Sequence, residues 1–118
     1  MAAEKNFENK VKDWLSNQGA WFIKYWGGAK FTKDGIPDIL VCFRGKFIAI
    51  EVKGPKGRPS VLQLITLKKI REAGGIGVLL YPEHFDYFIA YLTGTELGAH
   101  WYRENKEMQK EWFEKLTL

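Results

Sequence analysis

The stretch Gly35–Gly54, GIPDILVCFRGKFIAIEVKG, constrains the fold of this chain more than any other. It holds two apolar runs joined at Arg44-Gly45, a dipeptide that suits a two-residue hairpin turn except for Arg at a left-handed position. Charge flanks both runs: Asp38 opens the first, and Glu51 and Lys53 close the second. Burying charge beside such strands is costly unless something pairs with it. A turn at 44–45 sets Ile39 opposite Ile50 and, one step on, Asp38 opposite Glu51, with Cβ atoms about 4.5–5.5 Å apart. A four-residue loop, Phe43 to Lys46, gives the same pairing, whereas a three-residue loop throws Glu51 to the opposite face. Lys53, two residues beyond Glu51, points the same way as Glu51.

Two adjacent carboxylates repel, and one stays protonated unless a cation intervenes. Lys53 supplies part of that compensation. A divalent ion supplies more, and oxygen donors of this kind suit Mg²⁺, with Mn²⁺ as a substitute. A salt bridge at a frayed hairpin end explains one acid and one base. It explains less well two acids face to face between glycine-rich loops, which favours a site.

The rest of the chain supplies a frame. Residues from about Asn6 to Gln18 carry an apolar stripe of Phe7, Val11, Trp14 and Leu15, with Gly19 as a stop. Ala20 to Trp26 is rich in strand formers, and GGAKFTKDG after it reads as a loop. Ser60 caps a helix from about Val61 to Ala73, ended by Gly74-Gly75. IGVLLY follows as a buried strand. Phe85, Phe88, Ile89 and Leu92 fall at helical spacing, as do Met108, Trp112 and Leu116. The expected order is α-β-β-β-α-β followed by C-terminal helices. The last strand follows a crossover helix, so an α/β fold with a mixed central sheet and helices on both faces is expected.

At 118 residues, 46% hydrophobic and 27% charged, the chain reads as one soluble globular domain, 1–118. No apolar run reaches membrane-spanning length, and MAAEKNFENK lacks a signal peptide's apolar core, which gives an intracellular expectation. The single cysteine, Cys42, excludes an internal disulfide and a cysteine metal site and reads as a small core residue. His84 and His100 are isolated and receive no ligand role. Trp101, Tyr102, Trp112 and Phe113 pack on the body or, alternatively, form a dimer interface.

The net charge of +4 is unevenly spread. From Lys24 to Arg58 eight basic residues face three acidic ones, so the surplus is concentrated there. A basic band on a near-neutral body suits a polyanion, nucleic acid first. Lys30, Lys33, Lys56 and Arg58 on the flanking loops are candidates for phosphate contacts. Lys24 either reaches toward phosphate or snorkels from the sheet.

Pro37-Asp38 followed by Glu51-Val52-Lys53 resembles the PD-(D/E)xK signature of a nuclease superfamily. With Glu8 in the first helix, Gly35-Ile36 before the aspartate, and Ser60 and Gln63 opening a later helix, the pattern is similar to the virus-type replication-repair nuclease (VRR-NUC) domain. The resemblance covers a core of about 8–81 and leaves 83–118 as a C-terminal helical extension. It implies a restriction-endonuclease-like core and metal-dependent hydrolysis of DNA phosphodiesters. The compact size points within that family to resolvase-like members that act as homodimers on Holliday junctions or related branched DNA in bacterial or phage-infected cells. Carried over by position, Asp38, Glu51 and the Val52 carbonyl would ligate Mg²⁺, with Lys53 orienting the attacking water. Glu8 would add a metal contact, or else serve as a first-turn glutamate paired with Lys12. Gln63 would bond the water, a ligand or the DNA backbone, and Ser60 would lie at the DNA. No organic cofactor and no membrane are implied. A flap-, nick- or end-processing nuclease would carry the same site, and a non-catalytic nucleic-acid-binding module is the alternative from another class.

Overall fold

The computed structural model describes residues 2–27 and 33–118. The elements are α1 (Ala2–Asn17), β1 (Trp21–Lys24), β2 (Ile39–Phe43), β3 (Lys46–Val52), α2 (Val61–Glu72), β4 (Ile76–Leu80), α3 (Phe85–Leu92) and α4 (Glu96–Thr117), with one 3-10 turn at Pro82–His84. Helix α1 starts four residues earlier than expected, because Ala2, Ala3 and Glu4 all favour helix and Glu4 sits in the first turn. Strand β1 is shorter than the apolar run suggests. The C-terminal extension resolves into two helices, separated at Thr93–Thr95; the Thr95 side chain caps α4 by accepting from the Gly98 N–H at 3.1 Å.

The strands form one sheet in the order β1-β2-β3-β4, antiparallel except for β3 and β4. Arg44 and Gly45 adopt φ of 51° and 79°, the left-handed pair that a two-residue hairpin needs. Arg44 bears that geometry with its guanidinium 4.8 Å from the Phe43 ring centroid. The resulting register sets Ile39 opposite Ile50 and Phe43 opposite Lys46, as expected. Helix α2 carries the chain across the sheet into the parallel strand β4.

Helices cover both faces. On one, Phe7, Val11 and Leu15 of α1 and Phe85 and Phe88 of α3 pack on Ile39, Val41, Ile48, Ile50, Val78 and Leu80. On the other, Leu64 and Leu67 of α2 pack on Ala49, Leu79 and Tyr81. Helix α4 serves both layers: Trp101 and Tyr102 are buried in the first, and Met108 and Trp112 lie against the second. Packing on the body therefore accounts for these aromatics except Phe113, which stays exposed. Cys42 is exposed rather than in the core, because its side of β2 is not fully covered.

Helix α4 also closes the β4 edge. The Leu79 N–H donates to Asn105 Oδ1 at 3.1 Å, and Asn105 Nδ2 donates to the Leu79 carbonyl at 2.7 Å. The Gly77 N–H donates to the Tyr102 hydroxyl (3.1 Å), and Gln109 Nε2 donates to the Gly77 carbonyl (3.0 Å). Side chains thus do what a fifth strand would do, which satisfies the outward backbone groups and blocks edge pairing. Asn105→Ala leaves both Leu79 groups without this partner and is expected to lower stability by about 2–4 kcal/mol in urea denaturation; a loss below about 0.5 kcal/mol would contradict this role.

Candidate active site

The site lies where β2 begins and β3 ends. The Tyr25 N–H donates to the Asp38 carbonyl at 2.8 Å, so the β1–β2 pairing continues one step past the strand. Asp38 therefore turns its backbone toward β1, and extending the hairpin register makes Asp38 and Glu51 a non-hydrogen-bonded pair, the arrangement with the closer side chains. Both point to the face that α2 covers, since Asp38 alternates with Leu40 and Glu51 with Ala49. The expected juxtaposition is present.

Each oxygen of Asp38 has a partner. Oδ2 accepts from the Val52 N–H at 2.8 Å, and Oδ1 accepts from Lys24 Nζ at 3.3 Å. Because the N–H and C=O of one strand residue point the same way, the Val52 carbonyl opens toward the Asp38 side as well. Glu51 is 2% exposed. Its Oε2 lies 3.2 Å from Lys53 Nζ, while Oε1 is buried with no hydrogen-bond partner. Burial first and the Asp38 charge second push the Glu51 carboxyl up to about 8, and Lys53 only partly offsets the two. Lys53 is itself buried, its stem roofed by the Gly54–Pro59 loop: a Cβ on Gly57 would sit 3.2 Å from Lys53 Cβ and Cδ.

Glu8 forms a second buried node. Lys24 Nζ donates to its Oε1 at 2.6 Å, and Lys5 and Lys12 approach Oε2 at 3.2 and 3.4 Å. Burial raises the Glu8 carboxyl, but the bonds from Lys24 and Lys5 and the Lys24 charge outweigh it and hold it below its usual range. Lys24 meets the same balance with the opposite sign: burial lowers its ammonium, and Glu8 and Asp38 together raise it. Because α1 begins at Ala2, Glu8 lies in its second turn rather than its first, where Glu4 stands instead. Glu8 pairs with Lys12, and it reaches the cluster, though through Lys24 rather than by touching Asp38 or Glu51.

Lys24 neither snorkels nor faces outward. Its side chain is 18% exposed and spans two carboxylates, which leaves it poorly suited to contact DNA. Ser60 and Gln63 close a reciprocal cap: Ser60 Oγ accepts from the Gln63 N–H (3.1 Å), and Gln63 Oε1 accepts from the Ser60 N–H (2.9 Å). The amide nitrogen of Gln63 is the donor that this cap does not use. Lys56 and Arg58 are exposed on the loop over Lys53, and Lys33 is exposed with its backbone held at both ends by the Tyr25 hydroxyl (2.8 and 3.1 Å). Lys30 lies outside the described residues.

These donors suit a hard divalent cation. Two carboxylates, one buried oxygen without a partner and an adjacent carbonyl form an oxygen-rich half-shell, and Mg²⁺ commonly completes such a shell with water. Among the described residues no three His, Cys, Asp or Glu side chains gather at one point, so Glu8 stands apart from the pair. Sequence reading missed Lys24 as the bridge between Glu8 and Asp38. The signal was available: Lys24 pairs with Ile39, next to Asp38.

The Glu51 shift has a definite sign. Below pH about 4.5 the carboxyl is protonated in both folded and unfolded chains and contributes no pH dependence. Between about 4.5 and about 8 the unfolded chain releases the proton while the folded one keeps it, so stability falls as pH rises. Glu8 acts below that window, where its lowered value means stability is lost on acidification. In metal-free buffer, urea denaturation is expected to show stability declining by a few kcal/mol from pH 5 to 8. Glu51→Gln is expected to flatten that decline and to exceed the wild type at pH 8; an unchanged profile would contradict the assignment. Comparison with family models, curated proteins and solved structures finds no match for this chain.

Proposed function

We propose that this protein is a metal-dependent, structure-selective DNA endonuclease that hydrolyses phosphodiester bonds, with Asp38, Glu51 and Lys53 as its catalytic set. The observation that carries the reading is the Glu51 carboxyl, buried with an orphaned oxygen against Asp38 and Lys53. The α-β-β-β-α-β order with the acids at the end of the central hairpin supports a restriction-endonuclease-like core, as the PD-(D/E)xK resemblance implies.

Asp38, Glu51 and the Val52 carbonyl are the groups that would hold Mg²⁺ or Mn²⁺. When bound, the ion supplies charge neutralisation at the scissile phosphate and a more acidic water. Lys53 carries a buried ammonium beside Glu51, where it can orient that water and stabilise charge growing on the phosphate oxygens. Asp38 is oriented by the Val52 N–H and Lys24, and Glu8 positions Lys24 from the other side. Lys56 and Arg58 on the loop over Lys53, with Lys33 beside Tyr25, supply exposed cations to bind backbone without reading sequence. Holliday junctions or related branched DNA are the proposed substrates. A two-fold dimer would turn two such sites toward opposite strands.

A cleavage panel tests the reading: Holliday junction, 5′ flap, single-stranded and plain duplex DNA, each with Mg²⁺ and with Mn²⁺. Cleavage of a branched form is expected, with Asp38→Asn lowering its rate by about 10²-fold or more while the variant keeps its native circular dichroism. A folded Asp38→Asn protein that cuts at the wild-type rate would refute the assignment. Salt-sensitive binding with no products in either metal would favour the binding-module alternative.

A further inference from the structure

The loop that roofs Lys53 has a second side. The Tyr81 hydroxyl donates to the Gly57 carbonyl at 2.8 Å and fixes the loop against the end of β4. Between this loop and α4 lies a cavity of about 290 Å³, lined by Lys56, Arg58, Tyr81, His84, Met108 and Trp112 among others. Aromatic rings form much of its inner wall. The His84 ring is held edge-on between Tyr81 and Trp101, with centroids 6.2 Å from each. Trp112 presents an indole that already carries a cation, Lys115, 4.9 Å from its ring. At the loop side, Lys56 and Arg58 are exposed, and neither enters an ion pair among the described residues, although Glu83 also lines the cavity.

An aromatic lining behind two exposed cations suits a heterocyclic base that carries a phosphate. The volume lies at the lower end of the range for small-ligand sites, enough for one nucleotide and too small for a duplex. Gly57 lines this cavity and also lies against the Lys53 stem, so an occupant would sit across the loop from the catalytic cluster. We propose that this cavity receives one unpaired nucleotide of the DNA substrate, its base against Trp112 and His84 and its phosphate against Lys56 and Arg58. The inference rests on the nuclease reading for the identity of the strand. It supplies a physical reason for branched DNA to be preferred: a continuous duplex has no unstacked base to offer, whereas a junction or flap does.

Binding without cleavage tests it. Fluorescence anisotropy in metal-free buffer compares a blunt DNA hairpin with the same hairpin bearing a short single-stranded thymidine tail. The wild type is expected to prefer the tailed form, and Trp112→Leu to reduce that preference about tenfold, as loss of one base-stacking platform does. Because Trp112 also packs on the second core, circular dichroism accompanies the measurement. The paired substitution Lys56→Ala with Arg58→Ala, on exposed positions, serves as an independent variant and is expected to weaken the tailed form more than the blunt one. No tail preference in the wild type would overturn the proposal. So would a folded Trp112→Leu that keeps the preference, or a double variant that weakens both probes equally. A wild type that prefers the tailed form, with the preference lost in folded Trp112→Leu, yet cuts no DNA of the panel would leave the pocket standing and sink only the nuclease reading.

Discussion

The fold of the site turns on one unfavourable contact: the carboxylate of Glu51, 2% exposed, opposite that of Asp38. Hairpin register enforces it. Arg44 and Gly45 in left-handed conformation allow a turn of only two residues, and alternation along β2 and β3 then leaves both acids on the α2 side. A slip of one residue would separate them and turn the apolar set of β3 inside out. Lys53 and Lys24 mitigate the repulsion from opposite sides, at 3.2 and 3.3 Å from Glu51 and Asp38. Glu51 Oε1 remains without a partner.

Such an arrangement is poor engineering for stability. Buried ion pairs recover their desolvation penalty only when every lone pair is satisfied, and apolar residues of similar volume commonly do as well or better. Here seven charged side chains, Lys5, Glu8, Lys12, Lys24, Asp38, Glu51 and Lys53, interlock around the end of a small sheet. The two halves of the network differ. At Glu8 three ammonium groups converge and hold the carboxyl below its usual range; at Glu51 one ammonium is insufficient and the carboxyl rises to about 8. The Glu8 half is electrostatically complete and orients Lys24. The Glu51 half lacks positive charge, which is the property expected of a position that receives a cation.

Much of this was legible in the residues. Arg44-Gly45 gave the register, Ser60 the cap of α2, Gly74-Gly75 its end, and the crossover helix the parallel β4. The acid pair followed from register alone. The features that escaped depend on side chains acting against type. Lys24 reads as reaching toward phosphate or snorkelling from the sheet, yet the buried Glu8 carboxylate and the half-buried Asp38 carboxylate draw it inward. Asn105 and Gln109 received no role from the sequence; their partners are backbone groups of β4, more than twenty residues away in sequence and invisible to periodicity. Cys42 lies in an apolar run yet is exposed, because β2 extends beyond the cover of α2. Local pattern gave the elements, and long-range electrostatics decided the rest.

The central claim is that the Asp38–Glu51 pair is a seat for a divalent ion, and isothermal titration of Mn²⁺ into the metal-stripped protein addresses it most directly. One site per chain is expected in the wild type, lost or weakened at least tenfold in both Asp38→Asn and Glu51→Gln and retained in Glu8→Gln. A wild type that takes up no ion, or site variants that bind it as tightly as the parent, would contradict the account.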